Sequence, residues 1–549
     1  MSKKAIIFLA AWFLLALVQN AFTNLTSDEG YYWFLSRHLQ WGYYDHPPIT
    51  MLMIDFGYSL FSNELGVRLV NAILSTGSFF LFLKLLPKTY RNSWFTYLIL
   101  LAQPLLQYFS IIVFPDTPLL FFGLLYLTGY KRIIEKKDVS SFLLMGISLA
   151  GMFYSKYYGV LFLAFTILSN PGILKIKWFW ISLLIPILIS VPHLLWQYEN
   201  GFPSFKYHLE KRASGFSFRF LGEFISQQIP AISPAFIIVV FIYKVKDQFE
   251  KTLKFIAIGT MLFFLLNSFR GFVHFHWTSV ALFPLMFLAI KYYSEKRKLF
   301  NWLATPIIVC IILFRIHVLF PFLPFKANDL GYYKDRDTWA KQISSIAGND
   351  PVLFYENFRE AGLYTFYTGK MGVPLFDRSA RQTQYDLWGY EDSLQSKNVL
   401  LVRKRYFKDC KELASPVGKT IYYKRLDNFE SYNNIPVGIK IKNLQNDSLF
   451  FEMKITNTRS IPLTFPMDED NHYPGVFISI RNKKNELIKS EKIKELPGSY
   501  ELQPGKSIKL DLSFSIIDLS GGEYFLDAGF YYKPELITIN STGNLFTVN

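Results

Sequence analysis

The chain has 549 residues, of which 51% are hydrophobic and 18% are aromatic, a composition that argues against an ordinary soluble protein. A net charge of +16 is also typical of proteins that bind nucleic acid, but here the basic residues flank apolar segments, as they do in polytopic membrane proteins. We therefore predict a lipid bilayer as a partner and no nucleic acid.

Apolar segments recur from Ala5 to Phe320 and predict about eleven membrane spans. They are Ala5–Phe22, Val67–Leu86, Phe95–Val113, Pro118–Tyr130, Phe142–Phe153, Tyr158–Leu168, Trp178–Leu195, Ile232–Tyr243, Phe255–Leu266, Ser279–Ile290 and Trp302–Phe320. With a cytoplasmic N-terminus, every basic cluster between spans falls on the cytoplasmic side. The first segment lacks a small-residue cleavage site, so it is interpreted as a retained anchor.

The first outside loop, Thr26 to Pro48, contains adjacent carboxylates at Asp28 and Glu29, followed by a dense run of aromatic residues. Thr26 and Glu29 have the spacing of a capping box, which predicts that a helix begins here. The aromatic residues suit a helix that lies flat on the membrane surface. Two interpretations stay open: the acidic pair is a catalytic site, or it only caps the helix and complements its dipole.

Other outside loops hold further charged residues. Asp116, in FPDTP, either belongs to a site or breaks a turn. Lys156, in YSKYYG, departs from the positive-inside pattern, so it either binds a phosphate or lies among lipid headgroups. A later loop contains Arg270, His274 and His276. Its two imidazoles leave a metal site with a divalent cation as an open alternative, with the ligands unknown.

The sequence changes character after Pro321. Mixed helical and short apolar patterns predict a small α/β domain, and alternating segments after Ile435 predict an Ig-like β-sandwich. The predicted fold class is thus a multi-span α-helical membrane protein with a C-terminal extracytoplasmic α/β domain and β-sandwich. The predicted domains are residues 1–324 (transmembrane), 325–432 (α/β) and 433–549 (β-sandwich).

Four motifs occur in order along this topology. They are DEGYYW at Asp28–Trp33, YYDHPP at Tyr43–Pro48, PDTP at Pro115–Pro118 and SKY at Ser155–Tyr157. Together they resemble the polyprenyl-phosphate-sugar-dependent glycosyltransferases, the family of the dolichyl-phosphate-mannose protein mannosyltransferases and the lipid A aminoarabinose transferase. The resemblance covers roughly residues 1–430 and implies a GT-C fold in a bacterial inner membrane, with the C-terminal domains in the periplasm.

The resemblance implies an inverting hexosyl or pentosyl transferase. Its donor would be a polyprenyl-phosphate sugar, and its acceptor a hydroxyl of an envelope glycolipid, glycan or protein. Asp28 is expected to be the general base, with Glu29 orienting it or holding a metal. The residues expected at the carrier phosphate are Lys156, Tyr157, His46, Tyr44, Asp116 and Arg270. The aminoarabinose transferase has a lysine where this chain has His46. Lys156 is therefore expected to contribute more to binding of the carrier phosphate.

Two other classes of function stay open. A transporter of lipid-linked or amphipathic solutes would favour internal repeats and polar residues in mid-span, and neither is evident in the sequence. A non-catalytic assembly protein would present its β-sandwich to partners. Replacing Asp28 with Asn separates these alternatives, because transferase activity should collapse, whereas a scaffold would lose nothing.

Overall fold

The structure is a computed structural model that describes residues 1–136, 138–209, 216–322, 334–375, 382–418, 420–433, 435–467, 472–483, 486–533, 536–541 and 543–548. These residues form two compact units, Met1–Asp337 and Thr338–Asn549. The predicted boundary at residues 324 and 325 lies outside the described residues. The division into three domains therefore stays a prediction.

The first unit is helical. Its helices are α1 (Lys3–Ala21), α2 (Ser27–Ser36), α3 (Ile49–Leu60), α4 (Glu64–Leu85), α5 (Lys88–Arg91), α6 (Trp94–Leu101), α7 (Pro104–Phe109), α8 (Asp116–Lys136), α9 (Val139–Ser155), α10 (Val160–Ser169), α11 (Lys177–Glu199), α12 (Pro203–Leu209), α13 (Phe218–Ile232), α14 (Pro234–Ile242), α15 (Gln248–Asn267), α16 (Leu282–Ser294) and α17 (Arg297–Leu319). Short 3₁₀ turns precede α10 and α16, at Tyr157–Gly159 and Phe275–Ala281. Side chains from most of these helices share one apolar core.

Each predicted apolar segment is helical, but Phe95–Val113 divides into α6 and α7. The break falls at Pro104, which has no N–H to continue a helix and instead begins the next one. Within the described residues, five helices are long and apolar enough to cross a membrane. The pair α13 and α14, bent by 96°, makes a sixth if it is one span. The predicted number of about eleven spans is not confirmed, because several helices are shorter than an upright span requires.

Helix α2 begins where the sequence predicts. The Thr26 hydroxyl accepts from the Glu29 N–H at 3.2 Å, and Glu29 accepts from the Thr26 N–H at 2.9 Å, so the capping box is present. The aromatic side chains, expected on a membrane surface, are instead buried: Tyr32 is 6% and Trp33 8% exposed. The consecutive apolar residues surround the helix rather than forming one stripe, and a helix that is apolar all round is buried.

The C-terminal part combines three helices and two kinds of sheet. Its elements are α18 (Arg336–Ala347), β1 (Val352–Tyr355), α19 (Phe358–Thr368), β2 (Gly372–Leu375), α20 (Gln384–Trp388), β3 (Lys397–Arg403), β4 (Lys411–Ala414), β5 (Thr420–Phe429), β6 (Val437–Gln445), β7 (Ser448–Thr456), β8 (Gly475–Asn482), β9 (Leu487–Glu495), β10 (Ser507–Ser515), β11 (Gly522–Lys533), β12 (Leu536–Ile539) and β13 (Asn544–Val548). The first sheet has the order β2-β1-β3-β5-β4, with β2, β1 and β3 parallel and α19 connecting β1 to β2. This arrangement matches the predicted α/β pattern.

The remaining strands form two antiparallel sheets. One has the order β10-β7-β6, and the other β12-β11-β8-β9 with β13 paired to β11. Apolar residues of both sheets, such as Phe451 and Ile478, belong to a core that also includes Val399 and Phe429 of the first sheet. The second unit therefore has one continuous core. The assignment of a separate Ig-like β-sandwich stays a prediction.

Candidate active site

The two acidic residues at the start of α2 have different surroundings. Glu29 has no solvent exposure, and its carboxylate accepts hydrogen bonds from Arg68 Nε and Nη2, each at 2.7 Å. It also accepts from the Val113 N–H at 3.0 Å and closes the capping box with Thr26. Glu29 thus ties the first turn of α2 to α4 and to the segment before α8.

Arg68, which the sequence analysis did not select, completes this network. Its Nη1 donates to the Thr23 carbonyl and hydroxyl, both at 2.8 Å, and its Nη2 donates to the Asn24 carbonyl at 2.9 Å. The signal for Arg68 was available, because it is a charged residue inside the predicted span Val67–Leu86. A charge in such a segment requires a partner.

Asp28 precedes Glu29 by one residue but is partly exposed. Its place in the first turn of α2 follows from the capping box. It lies near enough to His276 for the two groups to interact electrostatically. The structure therefore separates the acidic pair: Glu29 is held inside the protein, while Asp28 stands beside a second polar cluster.

The second cluster is centred on Asp116, the first residue of α8, which has no solvent exposure. Its two carboxylate oxygens accept from Lys156 Nζ at 2.9 and 2.8 Å. The same carboxylate accepts from Ser279 Oγ at 2.6 Å and contacts His276 Nδ1 at 3.1 Å. Lys156 follows the last residue of α9, and the other two residues lie on the 3₁₀ turn before α16. Three breaks between helices thus bring these groups together.

Tyr157 belongs to a hydrogen-bond network beside this cluster. Its hydroxyl lies 2.9 Å from His193 Nε2, and His193 Nδ1 lies 2.7 Å from the Trp41 carbonyl. Because a carbonyl only accepts, Nδ1 carries the proton of a neutral ring, and Nε2 accepts from Tyr157. Gln197 Nε2 donates to the Tyr157 hydroxyl at 3.4 Å. The network connects the segment after α9 with α11 and the first loop.

The first loop is fixed to α2 by its own polar residues. The Tyr32 hydroxyl lies 3.2 Å from His46 Nε2, and the Tyr31 hydroxyl donates to Asp45 at 3.0 Å. Tyr44, which precedes Asp45, is buried. These contacts place YYDHPP against the helix that carries the acidic pair.

Of the predicted site residues in the loop between α15 and α16, one lies in the Asp116 cluster and another does not. His276 belongs to the Asp116 cluster, whereas Arg270 is exposed at the turn after α15. The rings of His274 and His276 are 5.7 Å apart between centroids. In the described part of the chain, no group of three or more His, Cys, Asp or Glu residues could hold a metal ion.

The long apolar helices and the charged groups buried between their ends define a multi-pass membrane protein with a polar site at helix breaks. A family model described as dolichyl-phosphate-mannose-protein mannosyltransferase matches residues 45–196. A lipid A galacturonosyltransferase, RgtD of Rhizobium johnstonii, is 24% identical over 391 residues, which cover 64% of this chain and 81% of the relative.

Solved structures show a similar fold. ArnT from Cupriavidus metallidurans, in the apo state, has a TM-score of 0.55 at 14% sequence identity. The same protein bound to undecaprenyl phosphate has a TM-score of 0.55 at 13% identity. Each match covers 76% of this chain and 97% of ArnT. The resemblance to the polyprenyl-phosphate-sugar-dependent glycosyltransferases is thereby confirmed, and the chain shares the GT-C fold of ArnT.

Proposed function

We propose that this chain transfers a sugar from a polyprenyl-phosphate-linked donor to an acceptor hydroxyl on the outer side of a bacterial inner membrane. The observation that carries the proposal is the buried cluster of Asp116, Lys156 and His276 next to Asp28. The names of the relatives support it, since one is a lipid A galacturonosyltransferase and the other was solved with undecaprenyl phosphate.

The donor side of the reaction needs positive charge more than it needs a strong acid. Polyprenyl phosphate is a good leaving group, and a nearby cation stabilises the charge that develops on it. Lys156 is the proposed cation, and Asp116 fixes its ammonium by two hydrogen bonds. The other residues proposed at the carrier phosphate are Tyr157, His46, Tyr44 and Arg270.

The acceptor side needs a base. Asp28 is partly exposed, while Glu29 beside it is fully engaged with Arg68, which supports Asp28 as the base and Glu29 as the residue that fixes its helix. In the proposed step, the acceptor oxygen attacks the anomeric carbon, and the bond from that carbon to the phosphate oxygen breaks. The hydroxyl proton passes to Asp28. A single displacement of this kind inverts the anomeric centre.

The membrane orientation follows from the same proposal. The N-terminus is proposed to be cytoplasmic, and the Asp116 cluster and the C-terminal unit extracytoplasmic. The acceptor is then an envelope glycolipid, glycan or protein.

The test combines cells and purified protein. Mass spectrometry of envelope lipids, glycans and proteins, with and without the gene, should find a product that lacks one sugar residue in the deletion strain. The purified full chain should form the same product from a labelled polyprenyl-phosphate sugar. If the deletion strain shows no such difference, and the purified protein moves the donor across vesicles without forming a glycosidic bond, the chain is a transporter and the proposal fails.

A further inference from the structure

His276 is held on one side only. Its Nδ1 contacts Asp116, its side chain is 14% exposed, and its Nε2 makes no hydrogen bond within the described residues. The ring thus has one fixed nitrogen and one nitrogen available to a ligand. It shares this position with Lys156, because both side chains bind the same carboxylate.

The partners of Asp116 define which nitrogen carries the proton. The carboxylate already accepts two hydrogen bonds from Lys156 and one from Ser279, so it is ionised and cannot donate. Nδ1 of His276 must therefore be the donor to Asp116. A neutral ring then presents a lone pair at Nε2, and only the doubly protonated ring presents an N–H there.

The charges of the groups around His276 determine how strongly this position attracts a phosphate. The Lys156 ammonium can contact a phosphate oxygen directly, but Asp116 offsets its charge, so the pair as a whole carries no net charge. The charged or titratable groups around the His276 ring are Asp116 on α8, Lys156 after α9, Asp28 on α2 and His274 on its own segment. His276 is the member of the Asp116 cluster whose charge can change near neutral pH.

We propose that His276 is a further phosphate-binding residue, which takes up a proton when the donor binds and then donates from Nε2 to a phosphate oxygen. This inference rests on the proposed function. Asp116 is the positioning residue, because it fixes the tautomer and the ring. The proton comes from solvent on binding and stays on His276 while the carbon–oxygen bond to phosphate breaks, so the ring stabilises the departing phosphate as a cation.

Two substitutions of His276 distinguish the hydrogen-bonding position of its Nε2 from the charge of its ring. In His276→Asn, the side-chain amide nitrogen can replace Nδ1 toward Asp116, but nothing replaces Nε2. In His276→Gln, the amide nitrogen can reach the position of Nε2 but cannot titrate. The control is His38→Gln, since His38 is an exposed histidine of the same unit. Thermal unfolding of each purified full-length variant shows whether it is folded.

The probe is a polyprenyl methyl phosphodiester, whose single charge does not titrate near neutral pH. Calorimetry in two buffers of different ionisation enthalpy measures proton uptake on binding. For wild type and His38→Gln we expect uptake of about one proton above the pKa of a typical histidine, and affinity that weakens about 50-fold from pH 6.5 to 8.5. His276→Asn should bind weakly without uptake, and His276→Gln should bind at one intermediate, pH-independent affinity.

Each other outcome has a distinct meaning. Wild-type binding without proton uptake overturns the inference about His276 and leaves the proposed function standing. Unchanged uptake in His276→Asn also overturns it. Absence of binding by folded wild-type protein overturns the proposed function itself.

Discussion

Arg68 donates two hydrogen bonds of 2.7 Å to the two carboxylate oxygens of Glu29, and neither side chain is exposed to solvent. This pair fixes α2 to α4 and leaves the neighbouring Asp28 at the edge of the polar cluster. The two adjacent acidic residues thereby differ in their surroundings: Glu29 holds the helix, and Asp28, which is partly exposed, is the proposed base.

Breaking this pair should destabilise the protein strongly. Glu29→Gln leaves a buried guanidinium without its counter-charge, which costs about 3–5 kcal/mol. The matched control is Asp55→Asn, since Asp55 binds Arg37 at 2.9 Å with both side chains a third or more exposed. A surface pair of this kind contributes about 0–1 kcal/mol. Thermal unfolding in detergent should show a large loss for Glu29→Gln alone; similar losses for both variants would contradict the account.

Replacing Asp28 should abolish transfer and leave the fold unchanged. Asp28→Asn has almost the same size but cannot accept a proton, so we expect activity to fall by about 10²–10⁴-fold. Asp55→Asn again serves as the control, because it removes a carboxylate on α3 outside the cluster. The measurement is product formation at saturating donor. A variant with at least a tenth of wild-type activity would rule out Asp28 as the general base.

The pair of Asp116 and Lys156 can be tested by a double-mutant cycle. Asp116→Asn or Lys156→Gln alone leaves a buried charge unpaired and should cost about 3–5 kcal/mol of stability. The double variant removes both charges, so it should recover most of that stability. Donor binding should not recover, because the phosphate has lost its cation. Recovery of stability and donor binding together would mean that the pair is structural only.

Replacing Lys156 with Arg or with Ala tests whether the Lys156 ammonium contacts the donor phosphate. Arg keeps the positive charge but spreads it over a planar fork, so part of the donor binding should remain. Lys156→Ala should lose more. Equal donor affinities for the Ala and Arg variants would indicate that Lys156 does not contact the phosphate.

The sequence predicted those parts of the site that depend on local pattern. The capping box at Thr26 and Glu29 is such a case, and the apolar segments are another. Arg68 and Ser279 were not predicted, because each meets its acidic partner across a long stretch of chain. Strand β9 was not predicted either, since its Lys- and Glu-rich sequence is mostly exposed at a sheet edge and lacks apolar alternation. Pairings of this kind are decided by tertiary packing.

The C-terminal unit should lose stability as pH rises. Burial, together with nearby Asp386, raises the pKa of Glu391 to about 8. Glu391 is therefore protonated in the folded unit and ionised in the unfolded chain between about pH 4.5 and 8, so unfolding releases a proton in that window. The free energy of unfolding should decrease by a few kcal/mol, about 1.4 for each unit of pKa shift, and then level off.

Glu391→Gln removes the titrating group and should flatten this dependence, with the largest stabilisation near pH 8. The control is Glu412→Gln, because Glu412 is exposed on β4. Calorimetry of the full chain between pH 5 and 8.5 measures both. If the wild-type transition of the C-terminal unit does not move across this range, Glu391 does not titrate as described.

Truncations should show that the C-terminal unit folds as a whole. Tyr432 stacks on Phe465 with centroids 5.5 Å apart, and it also contacts Phe530. Asn540 Nδ2 donates to the carbonyls of Tyr432 and Ile435. These contacts join the segment after β5 to the strands that follow, and the first sheet shares one apolar core with those strands, so removing residues 435–549 exposes the core of the sheet that remains.

We therefore compare two deletions. Removal of residues 435–549 should leave residues 338–434 unfolded and sensitive to protease, because their apolar core has lost its cover. Removal of residues 338–549 follows the boundary between the compact units and should leave no such remnant.

In both proteins we expect the helical unit to bind donor and to glycosylate a small surrogate acceptor, while transfer to the natural acceptor falls. Protease resistance and the two transfer rates are measured on the purified proteins. A protease-resistant α/β remnant in the shorter deletion would show that the two parts fold independently. Loss of transfer to both acceptors in a well-folded truncated protein would show that the C-terminal unit takes part in catalysis.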